Sequence, residues 1–156
     1  MSGIVSNFVE VFLFRYFEGK PKYLLLKRSE KVSTPNIWQV LTATINTGET
    51  AFQTAIREIG EETGLKVINL YSAPFVSSFY RQDTDSVHIA PIFIAEVSDG
   101  SVVISDEHTE CKWCNLDEAI NLLYWFNQIE NLKLTDIHLK EEKYFKTLTE
   151  TKKIKL

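Results

Sequence analysis

The stretch Arg57-Glu58-Ile59-Gly60-Glu61-Glu62-Thr63-Gly64 decides the reading of this chain. As a helix it places Glu58, Glu61 and Glu62 at i, i+3 and i+4, so three carboxylates share one face. Like charges at those spacings each cost an isolated helix about 0.2–0.5 kcal/mol. A divalent cation reverses that sign, because hard ions such as magnesium take carboxylate oxygens. The plainer alternative is a solvated face, since glutamate is a good helix former. The flanking sequence weighs between the two.

Just upstream, Thr50 with Gln53 fits a capping box. Phe52, Ala55, Ile56 and Ile59 then recur at i, i+3, i+4 and i+7, which gives the helix a buried stripe. At about 100° per residue that stripe is centred well away from the carboxylates. Gly64 is a natural stop. Such a helix buries one side and offers acid on another.

Working outward, Ile37–Ile45 reads as a strand around Trp38, closed by a turn at Asn46-Thr47-Gly48. Val5–Tyr16 is an apolar run with little alternation, as in a strand covered on both faces. Gly19-Lys20-Pro21 turns it into a partner strand, Tyr23–Arg28, and Ser33–Asn36 is a loop. Downstream, Val67–Val76 and His88–Val97 read as strands joined by the polar Tyr80–Ser86, and Asp99-Gly100-Ser101 turns into Val102-Val103-Ile104. Glu110–Cys114 is strand-like, Asn115 caps a helix expected to reach about Gln128, and a last helix is expected from Thr135 or Asp136 to near Leu148. With no repeat, low-complexity segment or linker, the expectation is an α/β fold in a single domain, residues 1–156.

Composition narrows the function. Among 156 residues, 44% are hydrophobic and 24% charged, ordinary values for a globular protein. The net charge of −4, from 17 Lys plus Arg against 21 Asp plus Glu, argues against a nucleic-acid binder, which carries basic clusters. No apolar run approaches the roughly 18–20 residues that span a bilayer, so no membrane partner is expected. The start lacks the regions of a secretory signal, and cytoplasm is the expected location. Cys111 and Cys114 form a lone CxxC. In a strand, i and i+3 point to opposite faces, so the sulfurs read as two separately packed thiols rather than a metal or redox pair.

Glu49, Arg57-Glu58-Ile59, Glu61-Glu62 and Gly64-Leu65 closely resemble the Nudix box, G-x5-E-x7-R-E-U-x-E-E-x-G-U with U aliphatic. Ile37-Trp38-Gln39-Val40, Glu107-His108 and Lys112-Trp113 resemble the branch of that family containing dihydroneopterin triphosphate pyrophosphatases and MutT-like hydrolases. The resemblance implies a Nudix-type α/β/α sandwich with a mixed sheet. It also implies a pyrophosphohydrolase dependent on Mg2+ (Mn2+ possible) that converts a nucleoside or pterin triphosphate to the monophosphate and pyrophosphate. ADP-ribose or dinucleoside polyphosphates as substrates, or a nucleotide-sensing module without turnover, stay open as alternatives. Glu58, Glu61 and Glu62 would hold metal, with the Thr42 backbone carbonyl and Glu107 as further ligands. Glu49 would hold Arg57 in place, and Glu107 is the candidate general base, with Asp106 or Glu110 as substitutes. Lys27, Arg28, Trp38 and Arg81 are the candidate substrate-binding residues, and Tyr80 and Trp125 are further aromatic candidates for stacking on a flat ring. One position departs: the first glycine of the box falls on Ala43, which keeps a backbone carbonyl but loses ready access to positive φ. An oligomer is open, with Leu122–Phe126 expected to be apolar nearly all round a helix.

Overall fold

The computed structural model describes all residues, 1–156. In chain order it contains β1 (Gly3–Val5), β2 (Phe8–Phe17), β3 (Lys20–Arg28), β4 (Trp38–Gln39), β5 (Leu41–Thr44), α1 (Ala51–Thr63), β6 (Val67–Arg81), β7 (Ser86–Val97) and β8 (His108–Cys114). Then follow α2 (Leu116–Leu122), α3 (Phe126–Lys140), α4 (Glu142–Thr147), a wide π-type turn at Leu148–Lys152 and β9 (Lys153–Ile154).

The strands form one mixed nine-stranded sheet whose main order is β4-β3-β2-β7-β6-β9. β2 runs parallel to β7 and antiparallel to β3. Every residue from Val9 to Phe14 is buried, and the alternation of side chains divides them between two cores. Val9, Val11 and Leu13 join Leu24, Leu26, Ala55 and Ile59 beneath α1. Phe12 and Phe14 join Tyr23, Leu25, Ala119, Leu132 and Leu139 beneath α2 and α3. Helices thus cover both faces, giving the expected α/β/α sandwich. Cys111 packs with the first core and Cys114 with the second, so the two thiols sit on opposite faces as the strand reading required.

One departure from regular pairing positions the site. β3 pairs β2 only over Lys20–Tyr23 and then diverges from it. The gap is bridged by Trp38–Thr44, whose first part pairs with β3 at Leu26 and Lys27 and whose second part pairs with β2 from Phe8 to Val11. The expected Ile37–Ile45 strand is therefore two short strands that change partner at Val40.

Several expectations need correction. The helix capped by Asn115 ends at Leu122, not near Gln128. Leu123 and Trp125 are extended, and the Tyr124 N–H is donated to the Trp38 carbonyl at 3.1 Å, so pairing with β4 interrupts the helix. Leu122–Phe126 is accordingly not one apolar helical segment, and Tyr124, Trp125 and Phe126 are exposed. The last long helix begins at Phe126 rather than near Thr135, and breaks at Glu141. Finally, β6 reaches Arg81 and β7 begins at Ser86, leaving a turn at residues 82–85, while Val102–Ile104 forms no strand and packs Val102 and Ile104 against the α1 core.

Candidate active site

Helix α1 carries the acidic face. The Thr50 Oγ1 accepts from Gln53 N at 3.3 Å and the Gln53 side chain accepts from Thr50 N at 2.9 Å, which closes the capping box. Gly64, at φ 70°, ends the helix in the left-handed conformation that favours glycine. With Ala55 and Ile59 fully buried, Glu58, Glu61 and Glu62 turn towards a cavity of about 500 Å3. Arg28, Thr42, Ala43, Arg57 and Glu107 line the same space.

The Arg57 guanidinium organises this face. Its Nε and one terminal nitrogen donate to the two oxygens of Glu49 at 2.6 and 2.9 Å, a two-pronged, charge-assisted contact. The other terminal nitrogen donates to Glu58 at 2.6 Å and to Glu61 at 3.1 Å. Glu49 is itself held by Thr54 Oγ1 at 2.9 Å and by the Asn46 N–H at 3.3 Å. The Arg57 bonds pull the Glu49 carboxyl down to about 2. Burial pushes Glu58 the other way, and the charges of Glu61 and Glu62 add to that rise.

Glu62 is the most enclosed of the three, and it accepts from Ser105 Oγ at 2.5 Å. His108 Nδ1 lies 2.9 Å from the same carboxylate but off the line a hydrogen bond needs, and it has no hydrogen-bond partner. Burial lowers the His108 pKa against the pull of Glu62. Glu107 reaches the cavity on a loop anchored by the Ser29 N–H, which donates to the Glu107 carbonyl at 2.8 Å. Its possible substitutes point elsewhere: Asp106 pairs with Lys31 and Glu110 with Lys27.

Four carboxylates and two guanidiniums therefore line one space. The donor set is all oxygen and strongly acidic, which fits a hard divalent cation. It is not closed into a ligand cluster: no three His, Cys, Asp or Glu side chains stand around one point, because Arg57 draws Glu58 and Glu61 while Ser105 holds Glu62. Ala43 lies in β5 without positive φ, and its side chain joins the α1 core, so the departure from glycine introduces no backbone strain.

A second cavity, of about 590 Å3, shares Phe8, Arg28, Thr42 and Thr44 with the first, so the two are halves of one cleft. Phe79, His88 and Trp125 wall it, the Phe79 and His88 rings stacking 8° from parallel at 5.3 Å. Arg81 lines this half and is paired with Asp83. Lys27 and Trp38 line neither cavity: Lys27 is bonded to Glu110 at 2.7 Å, and Trp38 packs against the α2–α3 core. The sequence reading did not single out Glu10, Phe79, Asn127 and Gln128 in this half. The available signal was Glu10 itself, the one acidic residue inside an apolar run read as covered on both faces.

The sandwich, the capped acidic helix and the Arg57 clamp are those of a phosphoanhydride hydrolase of the Nudix type. A family model described as the NUDIX domain matches residues 7–135, and the chain belongs to the Nudix family, as a Nudix hydrolase. The rat (Rattus norvegicus) bis(5'-nucleosyl)-tetraphosphatase (asymmetrical) is 31% identical over 121 residues, covering 73% of this chain and 75% of the relative. A dihydroneopterin triphosphate diphosphatase of Haemophilus influenzae is 26% identical over 140 residues, 82% of this chain and 87% of the relative. The Caenorhabditis elegans Ap4A hydrolase, solved as a binary complex, superposes with a TM-score of 0.71 at 24% identity, over 86% of this chain and 97% of that one. Nudix hydrolases generally use divalent metal ions. No helix here is long and apolar enough to cross a membrane.

Proposed function

We propose that this chain is a magnesium-dependent pyrophosphohydrolase that converts a nucleoside or pterin triphosphate to the monophosphate and pyrophosphate. The observation that carries the proposal is the continuity of the acidic cavity with the aromatic-walled one through Phe8, Arg28, Thr42 and Thr44. One half suits phosphates that arrive with their counter-ions, and the other suits a flat ring.

Glu58, Glu61 and Glu62 would hold Mg2+ or Mn2+, with the Thr42 carbonyl and Glu107 adding oxygens. When bound, such an ion neutralises phosphate charge and makes a coordinated water more acidic. Arg57, fixed by Glu49, orients Glu58 and Glu61, and Arg28 meets the phosphate oxygens. Glu107 accepts the proton of the attacking water, a role worth about 10²–10⁴-fold when the base is well placed. Charge in phosphoryl transfer spreads over the oxygens, so placement and electrostatics carry most of the catalysis.

A second reading, asymmetric cleavage of a dinucleoside tetraphosphate, is favoured by the 31% identity to the rat enzyme. A release assay with magnesium separates the two. Pyrophosphate from a single triphosphate supports the first reading; a nucleoside triphosphate plus a monophosphate from a dinucleoside tetraphosphate supports the second. Glu61→Gln should lower turnover about 100-fold or more while the circular dichroism spectrum stays native. Near wild-type turnover at saturating magnesium would remove Glu61 from the metal site.

A further inference from the structure

The aromatic-walled cavity ends on a carboxyl group that the chemistry above does not use. Glu10 lies near the start of β2, is 2% exposed, and shares a face of the sheet with Phe8 and Phe12. A carboxylate in such surroundings is costly unless paired, and a cation is the usual companion. Glu10 has none. Its Oε1 accepts from Ser77 Oγ at 3.0 Å, and its Oε2 is buried without any hydrogen-bond partner.

The polarity of the surrounding network states what is missing. The Asn127 amide donates to Ser77 Oγ at 2.6 Å, and the Ser77 hydroxyl donates onward to Glu10. Both hydrogens run towards the carboxyl, so Glu10 is the accepting end of the chain. Beside it, the Gln128 carbonyl is occupied by the Val40 N–H at 3.1 Å, so its amide turns a donor towards the Glu10 carboxyl, favouring the charged form without closing a hydrogen bond to Oε2. For the ionised carboxylate, the vacant partner of Oε2 is a donor. The walls around it, Phe8, Phe79 and Trp125, are suited to the faces of a flat ring.

We propose that Glu10 is a specificity-determining residue whose free oxygen accepts from the donor edge of a 2-amino-oxo-pyrimidine ring, the edge common to guanine and to pterins. That edge places a ring N–H beside an exocyclic amino group, two parallel donors matched to a carboxylate. Adenine presents one amino group next to bare ring nitrogens, whose lone pairs would face the carboxylate. The inference rests on the reading that this cavity takes the ring of a triphosphate substrate, and it names the class of ring. Burial leaves the Glu10 carboxyl near neutral pH in its titration, and paired donors would draw it into the ionised form.

The test compares kcat/KM with magnesium for GTP, ITP, ATP and dihydroneopterin triphosphate, in the wild type and in Glu10→Gln. The wild type should favour GTP, dihydroneopterin triphosphate or both over ATP by about 10–100-fold, the scale of leaving a buried polar group unpaired. ITP, which keeps the ring N–H but lacks the amino group, should fall between. Glu10→Gln should lose most of that preference through the amino-oxo substrates, with ATP little changed. Preference for the pterin over GTP assigns the source of the ring to pterins, and the reverse assigns it to guanine nucleotides. Equal use of all four by the wild type, or a preference that survives in Glu10→Gln, overturns the proposal while leaving the hydrolase reading intact. Should the variant fail to fold, the wild-type ratio of GTP to ITP decides alone. A panel without turnover would sink the parent reading. Calorimetric binding of guanosine and neopterin against adenosine then decides on Glu10: selective binding upholds its role, and equal or absent binding ends it.

Discussion

Glu10 and Glu49 are carboxylates moved in opposite directions by their surroundings. Burial raises Glu10 from 4.5 to about 7, with Ser77 and Gln128 opposing the rise. The folded protein thus holds this proton more tightly than the unfolded chain does. The associated stability is complete below about pH 4.5 and is lost as pH rises through about 7, a swing of up to about 3 kcal/mol. Urea unfolding of wild type and Glu10→Gln at pH 5 and at pH 8.5 should show the difference shifting towards the variant at the higher pH by that order. A difference independent of pH would mean that Glu10 ionises as it does in water. Glu49 is lowered instead, by the Arg57 bonds, so its contact with Arg57 persists well below the pH at which ordinary carboxyls lose charge. A lysine at position 57 has one point of charge where the guanidinium has a fork, and it could not serve three carboxylates at once.

The helices differ in how much of their structure is local. Helix α1 has its cap, stripe and stop within its own residues, and so it was legible from the sequence together with its acidic face. Its one weak point is Gly60, which has helical φ and open space where a Cβ would stand. Gly60→Ala should stabilise the protein by about 1 kcal/mol, raising the thermal midpoint by roughly 2–4 °C in calorimetry. No change, or a fall, would mean that something fills that space. Helix α3 escaped the sequence reading for a physical reason. Its buried stripe is Gln128, Asn131, Leu132, Thr135, Asp136 and Leu139, mostly polar residues, two of which, Gln128 and Asp136, bond to distant partners. Asp136, for example, accepts from the Tyr23 hydroxyl at 2.6 Å, a contact between β3 and α3 that no local pattern announces. The start of α3 is likewise set by the Tyr124–Trp38 backbone bond rather than by a cap. The same distinction governs the site. The spacing of the α1 carboxylates was readable locally, whereas the place of Lys27 outside the cleft depends on the register of β3 against β8, which sets it opposite Glu110.

At the scale of the molecule, two cores of comparable size lie back to back, and the last nine residues reach both, through Leu148 on one side and Ile154 on the other. Leu148, fully buried in the wide turn after α4, packs into the α2–α3 core. Leu148→Ala should therefore cost about 2–5 kcal/mol in denaturant unfolding, as other cavities of that size do. A loss below 1 kcal/mol would mean that the tail docks loosely. From that anchor the chain runs into β9, which pairs with β6 at Leu70 and Tyr71. β6 is fifteen residues long and otherwise borders only β7, so its outer rim offers unpaired amides and carbonyls. Such rims recruit strands from neighbouring molecules. Here the two-residue cap blocks one end, and the break in register between Ser72 and Val76, where Pro74 has no N–H to give, spoils the middle. The tail and the proline together make the sheet a poor template for fibrous self-assembly.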